Sequence, residues 1–316
     1  MQLEENWTKE KISMAQFMAI MSRNLKLYFR DKGAVFFSLL STIIVIVLMV
    51  FFLGDMTIDS VIGTLEEFGQ RNAKQDKENA ELLVLSWTFA GILAINAVTV
   101  TLGIYSVMIK DKVSGRLNSI YTAPVSRTTI AAGYVATAWI GSVLICLLTL
   151  FITEIYGVTK GLEAYSFETH LQLSGMIMVN SFVYSTIMYV VAVCAKTEGA
   201  WSGFGTVVGT LVGFLGGIYI PVGAVSDTIG NILKCTPVIY GTAMFRSVMT
   251  EDIVEKTFNG IPEDVLTEYR QAMGIELEVF GKTIGIAEEW LVLSVCGIIF
   301  LIGGILLLKY SKKTDR

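Results

Sequence analysis

Six stretches of this chain stay apolar for about 20 residues each, the length at which a helix crosses a ~30 Å hydrocarbon core. They fall at 35–53, 85–109, 130–152, 172–195, 201–222 and 288–309. Lipid offers a backbone no outside hydrogen-bond partner, so runs of this kind are held to helices. The expected fold is therefore all-α, a polytopic membrane protein with six transmembrane helices. Composition agrees: 53% of the 316 residues are hydrophobic and only 16% are charged, where a soluble domain has about a quarter. A soluble domain built on one aqueous core is excluded.

Lysine and arginine orient the spans, because basic flanks stay on the cytoplasmic side. With both termini inside, that side holds Lys9, Lys11, Arg23, Lys26, Arg30 and Lys32 before the first span. It adds Lys110, Lys112, Arg116 and Arg127 in the second loop, Lys196 in the fourth, and Lys309, Lys312, Lys313 and Arg316 at the end. These are most of the 24 basic residues, while most of the 28 acidic ones fall outside. The basic N-terminal flank and C-terminal tail agree, which requires an even number of spans. Apolar sequence starts only near Val35 with no small-residue cleavage site after it, which is not the pattern of a cleavable signal peptide.

Two outer segments are substantial. Residues 54–84 are polar, with charges at helix-compatible spacing. Residues 223–287 begin with a stretch, Ala224 to Met249, too apolar for a free loop and too broken by Gly230, Pro237 and Gly241 for a span. It reads as a re-entrant helical region before the last span, followed by an acidic cap over 250–287. The fifth span carries Gly205, Gly209, Gly213 and Gly217 at four-residue spacing, which allows close helix approach, within one bundle or at a subunit interface.

Residues 1–34 form a cytoplasmic amphipathic segment. From Lys11 to Lys32, Met14, Met18, Met21, Leu25 and Tyr28 recur on one helical face, with Ser13 and Gln16 as a capping box. Such a helix lies in the membrane interface or docks a partner. The second loop, residues 110–127, is the most informative. Gly115 breaks the helix leaving the membrane, Arg116 to Thr122 spans two short turns, Ala123 before Pro124 is held extended, and Ser126 caps the third span. The expectation is a short crosswise helix over 113–124 displaying Leu117, Ile120 and Tyr121, which a partner must cover.

This loop resembles the coupling helix of type-2 ATP-binding-cassette exporter permeases, with its pattern E-x-x-G-T-x-E-x-L-x-x-T-P-x-S-R. It keeps Gly115, Ile120 in the apolar slot, Ala123-Pro124-Val125-Ser126-Arg127, and Gly133 beyond. It departs with Lys110-Asp111-Lys112, with Arg116 where Thr is usual and with Asn118 where Glu is usual. Arg23-Asn24-Leu25 through Tyr28-Phe29-Arg30-Asp31 is similar to the family's interface helix. Ile220-Pro221 through Thr236-Pro237-Val238-Ile239-Tyr240 to Arg246 is similar to its re-entrant region.

The resemblance implies a permease subunit working as a homo- or heterodimer in a plasma membrane, the bacterial one by its length. It implies export of an amphipathic drug, peptide or lipid-like substrate by alternating access. Arg116, Leu117, Ile120, Tyr121, Pro124 and Arg127 would couple to a cytoplasmic ATPase, and Arg23, Lys26, Arg30 and Asp31 would form the interface helix. ATP and Mg would be bound by that partner, with no cofactor or catalytic residue in this chain and no nucleic-acid partner. Gly281-Lys282-Thr283 ends like a phosphate loop, but Glu276 stands where its first glycine is required.

Asn96, Tyr105, Asn180, Tyr184, Tyr189 and Thr210 are the polar candidates for a substrate pathway. The alternatives are an ion-coupled secondary carrier, for which Glu154 is the one candidate carboxylate, a membrane-embedded enzyme, or a non-transporting receptor. Four cysteines without CxxC spacing and the lone His170 argue against a metal site.

Overall fold

A computed structural model describes residues 2–48, 54–69, 71–279 and 281–314. The N-terminal segment is α1 (Gln2–Arg30), followed by α2 (Lys32–Leu48), α3 (Gly54–Glu66) and the long α4 (Ala73–Val113). A short α5 (Arg116–Thr122) leads into α6 (Arg127–Lys160), α7 (Phe167–Cys194) and α8 (Glu198–Leu215). Then come α9 (Asp227–Lys234), α10 (Pro237–Met249), α11 (Glu251–Thr257), α12 (Glu263–Ala272) and the last helix α13 (Ile286–Thr314). The described residues hold one small sheet, the antiparallel hairpin of β1 (Leu277–Val279) and β2 (Lys282–Ile284). The chain is all-α in substance.

Helix α4 organises the bundle. Asn72 caps it by accepting hydrogen bonds from the N–H groups of Lys74 and Gln75, and no proline interrupts its 41 residues. At 1.5 Å per residue it is about 60 Å long, so it projects beyond a bilayer core at both ends. Its apolar stretch is 78% buried, while that of α13 is only 17% buried, which makes α4 the central helix and α13 a peripheral one. α6, α7, α8 and α10 all pack against α4, and α13 packs on α7.

Four helices, α4, α6, α7 and α13 to Leu307, are long and apolar enough to cross a membrane. They hold the stretches read at 85–109, 130–152, 172–195 and 288–309. The other two expected spans are shorter: α2 has 17 described residues and α8 has 18. The end of the first stretch, 49–53, lies outside the described residues, as do 315 and 316 of the tail. α8 gives way at Gly216 and Gly217, the latter with φ of 60°, and the chain turns before Pro221.

Residues 54–84, expected outside, divide into α3 and the projecting start of α4. Residues 223–287 hold α9 and α10, then α11, α12 and the hairpin. Their hub is Arg246 on α10, whose side chain is 0% exposed. Its guanidinium stacks at 4.0 Å over the Trp87 ring of α4. Nη2 donates to Gly217 O at 2.9 Å, and Nη1 donates to Met273 O at 3.1 Å and Gly274 O at 3.4 Å. One side chain thus joins α4, α10, the turn after α8 and the turn before β1. Arg71 ties the same region from the other side, pairing with Asp76 and donating to Thr257 O and Asn259 O.

One expectation for the N-terminus is corrected. α1 is continuous from Gln2, so Ser13 and Gln16 lie mid-helix and form no capping box. Ser13 Oγ sits 3.5 Å from Thr129 Oγ1, and Gln16 Nε2 donates to Pro124 O at 3.1 Å. Along the stripe, Met14 and Met18 are exposed, whereas Tyr28 is buried, as is Asn24 beside it. The reason is steric. α6 offers a notch at Gly133, where a Cβ would lie 2.6 Å from Ile20 Cγ2, and α1 turns Ile20 into it.

The four-glycine stripe does not make one helix contact either. Gly205 faces Leu102 of α4, Gly213 faces Tyr219, Gly209 has open space, and Gly217 lies past the helix end.

Candidate coupling site

Three consecutive residues at the end of α4 point in three directions, because each helical residue turns about 100° from the last. Lys110 Nζ donates to Asp31 Oδ2 at 2.9 Å, at the junction of α1 and α2. Asp111 faces inward, 1% exposed, where Arg23 of α1 grips it with Nη1 at 2.7 Å and Nη2 at 2.8 Å. Tyr134 of α6 donates its hydroxyl to the same carboxylate at 2.7 Å. Lys112 Nζ reaches α7's C-terminal end, donating to Val193 O at 2.8 Å and Ala195 O at 2.7 Å, where a cation suits the helix dipole. The tripeptide therefore ties α4 to α1, α6 and α7. Asp31 also accepts from the Ala34 N–H; that bond and Lys110 hold its carboxyl below the usual carboxylate range.

The short helix follows within a few residues. Gly115 takes φ of 74°, a left-handed conformation that suits glycine, and ends α4. α5 runs to Thr122, Ala123 is extended, and Ser126 Oγ accepts from the Thr129 N–H at 3.0 Å to cap α6. Leu117, Ile120 and Tyr121 share one face at i, i+3 and i+4, and that face turns inward, not outward as expected. Leu117 is 6% exposed and Ile120 and Tyr121 are half-buried against the core. A two-turn helix with one apolar face lays it on the nearest apolar surface. The displayed side is polar, with Arg116, Asn118, Ser119 and Thr122 exposed. Arg127 lies 5.0 Å over the Tyr121 ring, and Pro124 O receives the bond from Gln16, so α1 holds both ends of this loop in register with α4. Lys26 and Arg30 are exposed on α1.

The six pathway candidates separate into two places. Asn96 Nδ2 donates to Thr149 Oγ1 at 2.8 Å, Asn180 Nδ2 to Ala94 O at 3.0 Å, and Tyr105 Oη to Ser185 O at 2.7 Å. Tyr189 packs its ring beside Tyr105, and Tyr184 is buried with its hydroxyl unpartnered among the described residues. All five lie inside the α4–α6–α7–α13 packing. Thr210 lies elsewhere, on a cavity of about 1190 Å³ between α2, α4 and α8. Thr99 and Ser106 of α4 and Ser202 and Thr206 of α8 line it too, with Asp31, Lys110 and Glu198 toward the α5 end. The sequence carried a signal for this cavity: Ser202, Thr206 and Thr210 recur every four residues and Thr99 and Ser106 are seven apart, one polar stripe on each helix.

Glu154, the candidate ion-coupling carboxylate, accepts from the Tyr165 N–H at 3.0 Å and pairs with His170 Nε2 at 2.8 Å, so it closes the α6–α7 turn. No metal-ligating group of three His, Cys, Asp or Glu side chains is present among the described residues.

Breaking the Asp111 pair has a defined expectation. Arg23→Met keeps much of the side-chain length but leaves a buried carboxylate with only the Tyr134 hydroxyl. The loss expected is about 3 kcal/mol, the lower end of the range for a broken buried pair, since Arg23 is partly open to solvent. Thermal unfolding in detergent measures it, and an unchanged midpoint would show that the pair adds nothing.

A family model described as ABC-2 type transporter matches residues 15–250, which is most of the chain. No curated protein matches it.

Proposed function

Because the chain belongs to the ABC-2 type transporter family, it is a permease subunit of an ABC transporter, and we propose that it docks a separate cytoplasmic ATPase through α5. ATP and Mg are bound by that partner. The observation that carries this reading is the Lys110-Asp111-Lys112 clamp directly behind α5. A displacement of α5 by a closing ATPase cannot be absorbed locally. It passes through three charge-assisted contacts into α1, α6 and α7, which is what switching between inward- and outward-facing states needs.

In this reading α2 and α8 complete six spans with α4, α6, α7 and α13, and both termini are cytoplasmic in a bacterial plasma membrane. α9 and α10 form the re-entrant region beneath an outer cap. A second permease subunit covers the α2–α4–α8 cavity. The exposed faces support that choice: α6 shows Leu144, Leu148, Phe151 and Ile152, and α13 shows Leu291, Ile298, Ile299 and Ile302, as lipid-facing helices do. The open side of α8 instead mixes Val207, Leu211 and Phe214 with Ser202, Thr206 and Thr210. The same mixture suits an amphipathic substrate moving outward between two subunits. With Glu154 bound within its own turn, an ion-coupled carrier loses the carboxylate that the sequence offered for it.

Purification in mild detergent after co-expression with the neighbouring ATPase gene tests the reading. A complex of two permeases and two ATPases is expected, with ATPase activity that depends on this chain. The chain running alone under those conditions would reject it in favour of a receptor.

A further inference from the structure

At the end of the bundle where α4 begins, α10, α11, α12 and the hairpin enclose a second cavity of about 460 Å³. Glu289 of α13 lines it while being 2% exposed, and its Oε2 has no hydrogen-bond partner among the described residues. A carboxyl so placed stays neutral unless a positive group comes to it, because an isolated buried charge is costly. The one arginine on the cavity, Arg270, is already paired with Glu276 at 3.1 Å.

The hydroxyl lining points the same way. Ser247 donates to Met244 O and Thr250 donates to Arg246 O, so both turn only oxygen lone pairs toward the cavity. Glu251 adds a further carboxylate at the rim. Apart from Thr283 and Gly285, the remaining wall is apolar, with Val254, Ile275, Ile284 and Ile286. No three acidic, His or Cys side chains converge as metal ligands among the described residues, and the volume is that of a small-molecule pocket, not of a bare ion.

We infer that this cavity binds an organic ammonium ion, its charged head against Glu289 and the Ser247 and Thr250 oxygens and its hydrocarbon body on the isoleucine wall. The site is separate from the α2–α4–α8 cavity and does not rest on the transport reading.

Benzylamine, cationic at neutral pH, is the probe, and benzyl alcohol is its neutral counterpart. Both are titrated onto the full chain in detergent by calorimetry. Saturable benzylamine binding is expected, with roughly thirtyfold or greater weakening in Glu289→Gln, which keeps the shape and removes the charge. Benzyl alcohol is expected to show no saturable binding. Absence of benzylamine binding to the unaltered chain, or equal binding of benzyl alcohol to it, overturns the proposal without reference to any variant. Benzylamine binding that survives in a folded Glu289→Gln protein overturns the role of Glu289 and the proposal with it.

Discussion

Arg246→Ala is expected to destabilise the protein by about 3–5 kcal/mol, the upper end of what a single truncation does to a folded chain. The guanidinium is wholly buried and has no carboxylate partner among the described residues; its contacts are backbone carbonyls and the Trp87 ring. Backbone acceptors cannot be replaced along with it. Removing the arginine therefore leaves Gly217 O and Gly274 O without their donor and opens a void beside Trp87. Met273 O alone keeps a partner, the Trp87 indole N–H at 2.8 Å. Arg246→Lys restores one donor but not the planar stack, so an intermediate loss is expected. The membrane-crossing helices stay helical in either variant, so circular dichroism is the wrong readout. Hydrogen exchange over 217–275 reads it instead: protection should collapse in the alanine variant. Unchanged protection and melting would show that the hub is dispensable.

The second large effect is functional. Arg116 and Asn118 sit on the exposed side of α5, whereas Leu117 is buried beneath it. Arg116→Glu with Asn118→Asp should leave stability within about 0.5 kcal/mol, as exposed substitutions usually do. Under the proposed docking, inverted charge against the ATPase surface costs several kcal/mol, which lowers coupled transport by roughly a hundredfold or more. Leu117→Ala is expected to behave differently. It unseats α5 from the core at about 2–3 kcal/mol, so folding stability and coupling fall together. Reconstitution into proteoliposomes with the ATPase separates the two, since transport and melting are read on the same preparations. Full transport by the charge-inverted variant would remove α5 from the docking surface.

The local parts of this structure were legible in the sequence. Apolar runs and the absence of proline specified α4, α6, α7 and α13, because helix formation in lipid depends on a residue and its neighbours four positions away. The break at Gly115, the extended Ala123 before Pro124 and the Ser126 cap were readable for the same reason. A run of similar length at 201–222 was less decisive. Its glycines end α8 at Leu215, where backbone freedom at Gly216 and Gly217 outweighs the apolar character that continues to Ile220.

What the tertiary structure alone decided is which face of each helix meets another. Lys110, Asp111 and Lys112 looked like a departure from a family pattern, and their partners on α1, α7 and the α1–α2 junction lie 79 to 88 residues away along the chain, where no local rule reaches. The methionine stripe on α1 was periodic enough to read as one face, yet Gly133 on α6 drew Ile20 in and left Met14 and Met18 exposed. Leu117 looked displayed until α5 folded it inward. In water a helix declares its buried side, since its apolar residues avoid solvent. In lipid both sides of a span are equally apolar, so α4 and α13 read alike in sequence although one is enclosed by its neighbours and the other lies at the edge. Only complementary shape and the pairing of a few polar groups distinguish the two.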